Sequence, residues 1–370
     1  MKLWKVSGLT AAVVFFFTLV FENRVLAYPT AAKHGYTTCV TCHYNPTGGG
    51  VLTSYGKFIA GELFGTLNDS SSAMPWIISP EEDITFVGMA MARAVQAYFD
   101  TPQAEKAHDR LMQLDFEGGF VKNGWQALAT VGFRLDSMEE NPEEMFVRRY
   151  WVGKVELEYA IRMGKFFPEY GIYHYNHNIP TRKGVFFNHD QEPHIFQGTY
   201  FSETFDLTLA YLEGSEDTEL EDHTGFVSTI AYKLGSQRIG VSHINMETDE
   251  VEKTDATAFY VQSGYAKKGY TIFEVDVKNT TLANENTVKE TLGYLESGWE
   301  LGKGISPYIA YEYAKTESGF SSTLMQPSLG VQMHLYTHTE IILQAGQGTF
   351  ESNGNKEPRK SAFAMLNLFF

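Results

Sequence analysis

Ala362-Phe363-Ala364-Met365-Leu366-Asn367-Leu368-Phe369-Phe370 ends the sequence. Apolar positions alternate with small or polar ones at the period of a β-strand, in which successive side chains point to opposite faces. The stretch also finishes on two aromatic rings. A terminal strand in a soluble sandwich would have to bury both rings. A strand whose outer face meets hydrocarbon would not.

The same alternation runs back through the chain to about residue 83. It predicts strands at 84–99, 109–121, 125–137, 146–155, 157–166, 194–203, 205–214, 223–234, 237–247, 256–266, 270–281, 288–302, 305–316, 324–336, 339–350 and 359–370. Their number is even, as single-chain bacterial membrane barrels require. Several links after even-numbered strands are short: Lys122-Asn123-Gly124, Gly235-Ser236, Lys267-Lys268-Gly269, Lys303-Gly304 and Thr337-His338. Links after odd-numbered strands are mostly longer, polar and acidic. Short turns at one end and long loops at the other fit a membrane barrel with both chain ends on the short-turn, periplasmic side. A soluble β-sandwich predicts short strands without that alternation of turn length. The expected fold class is all-β: a transmembrane antiparallel β-barrel of about 16 strands. It spans residues 83–370 and follows a small α/loop module at 28–82.

Composition agrees. The 370 residues include 21 Tyr and 27 Phe, while the mean hydropathy is only −0.23. A barrel with an apolar outer face, a polar lumen and aromatic rings at both interfaces has this balance. The net charge of −16 argues against a nucleic-acid partner. The acidic runs at 213–222 and 247–255 read as solvated loop tips.

Residues 1–27 read as a signal peptide. Lys2 and Lys5 precede an apolar run from Leu9 to Phe21, and Val25-Leu26-Ala27 is a small-residue cleavage site. The run is short for a membrane span, and Glu22-Asn23-Arg24 closes it.

Cys39-Val40-Thr41-Cys42-His43 follows soon after. This C-x-x-C-H spacing lets two sulfurs bond one edge of a porphyrin while the next residue ligates its iron. Cys39 and Cys42 are the only cysteines, so no Cys₄ zinc site can form. A redox dithiol would need a thioredoxin-like context that is missing, and a plain disulfide is the remaining alternative. The expected cofactor is one covalent haem c, with Cys39 and Cys42 as thioether donors and His43 as proximal iron ligand. A helix is expected from about Thr53 to Leu63, ending before Gly65. Tyr55, Phe58 and Phe64 are expected to pack the module against haem or barrel wall. Pro46 offers a carbonyl that could orient the imidazole of His43.

Two stretches resemble one family. The first is Cys39-Val40-Thr41-Cys42-His43-Tyr44-Asn45-Pro46 with Leu52-Thr53-Ser54-Tyr55-Gly56-Lys57-Phe58. The second is Met163-Gly164-Lys165-Phe166-Phe167-Pro168 with Tyr170-Gly171, His177 and Thr181-Arg182. Both are similar to bacterial outer-membrane barrels that carry an N-terminal monohaem cytochrome c segment, the cytochrome c–porin-like proteins. In sixteen-stranded porins the loop after strand five folds inward. That resemblance makes 167–193 a candidate constriction or plug, and it implies a homo-oligomer.

The sixth iron ligand decides the chemistry: Met or His gives a closed, electron-transferring iron, an open position gives ligand binding. His34, Met74, His174, His177 or no residue are the alternatives. A metal site on His174, His177, His189 and His194 has weaker support from its spacing. Three functions follow: an electron carrier, a porin for small solutes with a haem-bearing plug, and an open-site sensor or peroxidase. The carrier and channel readings take precedence over an enzyme. The expected location is the outer membrane, in contact with its lipid, with the haem module periplasmic or in the lumen. Because one haem cannot bridge a bilayer about 30 Å thick, periplasmic or extracellular redox partners are implied.

Overall fold

The computed structural model describes residues 29–67, 85–101, 104–133, 145–174, 176, 178–187, 191–215, 220–248, 252–284 and 286–369. The leader, Met74, His177, His189 and Phe370 lie outside them.

Sixteen strands form one closed antiparallel barrel, each paired with its neighbour in sequence. They are β1 (Thr85–Thr101), β2 (Ala104–Lys122), β3 (Trp125–Phe133), β4 (Met145–Val155), β5 (Tyr159–Lys165), β6 (His194–Phe201), β7 (Phe205–Glu213) and β8 (His223–Leu234). The second half comprises β9 (Gln237–Thr248), β10 (Lys253–Tyr265), β11 (Gly269–Thr281), β12 (Thr287–Trp299), β13 (Ile305–Ser318), β14 (Phe320–Tyr336), β15 (Thr339–Ser352) and β16 (Asn355–Phe369). The C-terminal strand closes the ring on β1, with Phe369 opposite Met91 and Lys360 opposite Asp100.

The strand count agrees with the sequence pattern, but the far end differs. β2 starts at Ala104 rather than 109, and three of the long-loop connections are tight. Only Gly319 separates β13 from β14, and only Asn353-Gly354 separates β15 from β16. Polar segments there continue the ladder, because strand ends beyond the apolar band need no apolar outer face.

The two faces are inverted relative to a soluble sandwich. In β7 the exposed residues are Phe205, Leu207, Leu209, Tyr211 and Glu213, and the buried ones are Asp206, Thr208, Ala210 and Leu212. Apolar outside and largely polar inside is the arrangement of a bilayer-spanning barrel. Exposed rings gather at the short-turn end: Phe86, Phe120, Trp125, Tyr200, Phe205, Tyr232 and Trp299. They form an interfacial girdle, with Phe86 and Phe120 stacked edge-on at 4.5 Å. The Leu209→Arg variant tests the outer face. A guanidinium near the bilayer midplane costs about 2–4 kcal/mol, so its unfolding midpoint in vesicles should fall, and an unchanged midpoint would mean that this face does not meet lipid.

The N-terminal module touches β2, β5, β10, β13 and β14, which lie all around the ring. Val51 N donates to Glu117 on β2 at 2.8 Å. Arg162 on β5 donates to Asn45 at 2.7 Å, and Gln262 on β10 donates to the Tyr36 carbonyl at 3.5 Å. Lys33 donates to Ser306 on β13 at 2.7 Å, and Thr66 N donates to the His334 carbonyl on β14 at 2.8 Å. Only a segment inside the barrel can reach all five. The described residues of 166–193 also run inward. Its neck closes through Phe166 N to the Pro193 carbonyl at 3.1 Å. Glu169 meets Arg238 on β9 at 2.8 Å, and Ile172 N meets Glu274 on β11 at 2.8 Å. The apolar core therefore lies within the lumen, where Val51, Phe167, Tyr170 and Phe187 pack on wall residues such as Trp151 and Leu212.

Candidate functional site: an internal cavity at the C-x-x-C-H turn

One backbone turn carries the motif. The amides of Cys42 and His43 both donate to the Cys39 carbonyl, at 3.1 and 3.0 Å. Behind it His43 bridges Leu52, so Tyr44–Val51 folds back as a short loop. Asn45 clamps that loop. Its Oδ1 accepts from Thr47 N at 3.2 Å and Thr47 Oγ1 at 2.8 Å, and its Nδ2 donates to the Gly48 carbonyl at 2.8 Å. The same Oδ1 takes the Arg162 bond, and that buried guanidinium lies 4.2 Å over the Phe166 ring. Asn45 thus fixes the Tyr44–Val51 loop to the barrel wall.

Gly50 has φ +68, and a Cβ there would run into the Glu117 carboxylate that holds Val51. A charge-assisted bond of this kind contributes about 1.5–3 kcal/mol. The predicted helix is present as α1 (Ser54–Ile59), continued by a π-helical turn Ala60–Phe64. Its N-cap is Thr53, whose hydroxyl accepts from Gly56 N at 3.0 Å and donates to the Thr41 carbonyl at 2.9 Å. Gly56 sits against the Cys42 carbonyl, where a Cβ would collide. Gly56→Ala should therefore push α1 off the motif and lower the yield of covalently coloured protein on a denaturing gel. A yield equal to wild type would show that this contact is dispensable.

Cys39, Cys42 and His43 all face one internal cavity. Its barrel side is formed by Met89, Met91, Gln113, Arg148 and Arg149, its roof by Phe167, His174, Arg182 and Phe187, and its mouth by Lys57, Phe64, Thr337 and Phe369 near the short turns. The cavity encloses about 250 Å³, just under the roughly 300–1,000 Å³ of common ligand pockets. Among the described lining residues, five are cationic (Lys57, Arg93, Arg148, Arg149, Arg182) and two are carboxylates (Glu192, Glu340). Asp115 and Glu117 pair with Arg148 and Arg149 from just behind that lining.

The donor set fits a covalently held tetrapyrrole. Both cysteines are free and one turn apart. His43 is 8% exposed, and its ring lies against the backbone of Gly49 and Gly50. The Pro46 carbonyl does not bond it, which corrects the sequence expectation. Burial pushes the His43 pKa down to about 4, so the ring is the neutral imidazole that iron ligation needs. Burial also pushes the Cys39 thiol up to about 12. A redox dithiol needs a lowered thiol pKa, so that alternative loses support.

The other predicted residues divide. His34 is turned away from the cavity, with Nε2 3.0 Å from Glu300 and its ring edge-on to Phe64 at 5.5 Å. His174 lines the cavity, but Nε2 lies 3.3 Å from Glu296 and Nδ1 accepts from Asn176 N at 3.1 Å. Tyr55 and Phe58 are exposed, 43% and 53%, so only Phe64 packs as expected, against Ala31, Tyr36 and Cys42. Among the described residues no group of three or more His, Cys, Asp or Glu could hold a metal ion. Sequence reasoning missed Met89, Met91 and His334 on the cavity wall. It also missed the Arg148-Arg149 pair. Strict alternation would send one of them into lipid, but a bulge between Thr130 and Val131 shifts the register and turns both inward. Two consecutive arginines in a strand were the available signal.

No family model matches the chain, and no curated protein matches it. Among solved structures it is similar to the outer membrane protein OmpT of Vibrio cholerae: TM-score 0.62, 11% identity, 80% of this chain and 99% of that one. It is also similar to an anion-selective porin from Comamonas acidovorans: TM-score 0.57, 10% identity, 78% and 100% covered. Salmonella typhi OmpF, in complex with daunomycin, gives 0.57, 13% identity, 80% and 100%. At these identities the likeness is one of fold: a porin-like sixteen-stranded barrel.

Proposed function

We propose that this chain is a monohaem c protein of a bacterial outer membrane that transfers electrons at the periplasmic mouth of its own barrel. The observation that carries this reading is the convergence of Cys39, Cys42 and His43 on one internal cavity, between the plug and the barrel wall. Residues 1–27 are the export signal, 28–82 the haem-attachment plug and 83–370 the barrel. Cys39 and Cys42 hold the porphyrin by thioethers, and His43 ligates the iron. The group supplies one-electron redox chemistry when bound. The chain's own residues bury it, fix its attachment turn through Asn45 and Arg162, and leave its mouth beside Lys57, Thr337 and Phe369. That mouth lies at the short-turn end, so the direct partner is a periplasmic redox protein. A second carrier completes any route outward, because a single site cannot span the bilayer.

A porin with a haem-bearing plug is the second reading, favoured by the fold of the solved porins. The lumen argues against an open channel, because residues 29–67 and the described residues of 166–193 both enter it.

The visible spectrum of the purified full chain, oxidised and reduced, with and without carbon monoxide, tests the proposal together with a haem stain after denaturing electrophoresis. Covalent haem with a six-coordinate low-spin spectrum, insensitive to carbon monoxide, is expected, with Met89, Met91, His174 and His334 the Met and His residues of the cavity lining that would be able to complete the coordination. Rapid carbon monoxide binding would shift the reading to an open-site sensor or peroxidase. A colourless protein from a host competent in cytochrome maturation would overturn it.

A further inference from the structure

We propose that Arg182 and Arg149 form an anchor for the two propionate carboxylates of the bound tetrapyrrole. This inference rests on the haem reading above and assigns which side of the cavity the carboxylate edge occupies.

Arg182 lies in α2 (Pro180–Lys183), inside the barrel on the inward loop. It is 3% exposed, and its Nε and Nη1 have no hydrogen-bond partner. Its guanidinium is held by rings instead: Tyr173 at 4.7 Å, Phe167 at 5.2 Å and Phe187 at 5.6 Å. Aromatic faces orient a guanidinium without consuming its N–H donors. Arg149, on β4, spends one donor on Glu117 at 3.3 Å, and its Nε is buried without a partner. Both arginines line the same cavity. Tyr173 and Glu192, which line the same cavity, act electrostatically on both.

The surrounding charges do not remove the demand. Glu274, Asp276 and Glu192 are within electrostatic reach of Arg182, and Glu117, Asp115 and Glu192 of Arg149. None of them accepts from Arg182 Nε or Nη1, or from Arg149 Nε. A buried donor left unpaired is costly, and more so when charged. A dianionic edge supplies acceptors for the orphaned N–H groups. Guanidinium forks match carboxylates in two-pronged geometry, which an ammonium does not.

The test uses the full chain in membranes, with Arg182→Leu, Arg149→Leu and Arg182→Lys, and with Arg359→Leu on β16 near the opposite end as control. Haem content, midpoint potential and the propionate bands in the resonance Raman spectrum are read together. Removing a cation beside the haem disfavours the reduced, less positive iron. Both leucine variants should therefore lower the reduction equilibrium by about tenfold, which is 59 mV for a one-electron couple, and should shift the propionate bands. Arg182→Lys should recover part of the potential without restoring the bands, and Arg359→Leu should change neither. If the leucine variants keep the wild-type potential and bands with haem attached, the anchor is overturned. Unchanged potentials with altered anion conductance in bilayers would assign the pair to a permeating anion and overturn it as well. A wild-type chain without haem would instead refute the proposed function, so the two failures are distinguishable.

Discussion

Replacing Cys39 and Cys42 together by Ser should abolish covalent haem, leaving no stain on a denaturing gel while the barrel still forms. The reason is local. The thioethers require both sulfurs on one turn, which the bonds from Cys42 N and His43 N to the Cys39 carbonyl fix independently of the barrel. The strand ladder involves neither residue, so heat-modifiable migration in detergent should persist. Each single variant should retain a weaker stain through the remaining thioether. His43→Ala should differ from both, because covalent attachment survives while the low-spin spectrum is lost. Colour retained in the double variant would mean that the iron group, if any, is held elsewhere.

The parts of this molecule that were legible in the sequence are those written in short-range patterns. Sixteen strands followed from period-two alternation and turn residues, because each strand's faces are set by its own residues. The placing of Cys39, Cys42 and His43 on one turn followed because the motif is five consecutive residues. The N-cap at Thr53 followed for the same reason. What failed was set by distant partners. Lys33 and Ser306 are 273 residues apart and meet only because the module enters the lumen. Neither Asn45 nor Arg162 names the other, since a polar inward residue looks alike whether it faces water or a plug. His34 reads as a ligand by proximity to the motif, yet Glu300 holds it. The bulge that turns Arg148 and Arg149 inward breaks the very periodicity used to assign faces. The early start of β2 was missed because Ala104–Asp109 is polar, and the pattern that identifies a strand in lipid ends where the lipid does.

Deleting residues 29–67 should convert a nearly closed barrel into a conducting one. Sixteen-stranded barrels enclose an aqueous channel unless something fills it. Here the filling is the module, sealed to the wall by Lys33 with Ser306, Asn45 with Arg162, Val51 with Glu117 and Thr66 with the His334 carbonyl. These contacts ring the lumen, so no single substitution should open it. Loss of the whole module leaves Glu117, Arg162 and Glu300 facing a lumen that water can enter, and hydration offsets most of what they lose. The barrel's backbone ladder is untouched, so heat-modifiable migration should again report a folded cylinder. Single-channel conductance in planar bilayers should rise on the order of tenfold or more over the intact chain. The inward loop 166–193 stays in place through Glu169, Ile172 and His174, so conductance should stop short of an unobstructed pore. Equal conductance with and without the module would mean that ions already pass the plug, and it would move the balance from electron carrier to porin.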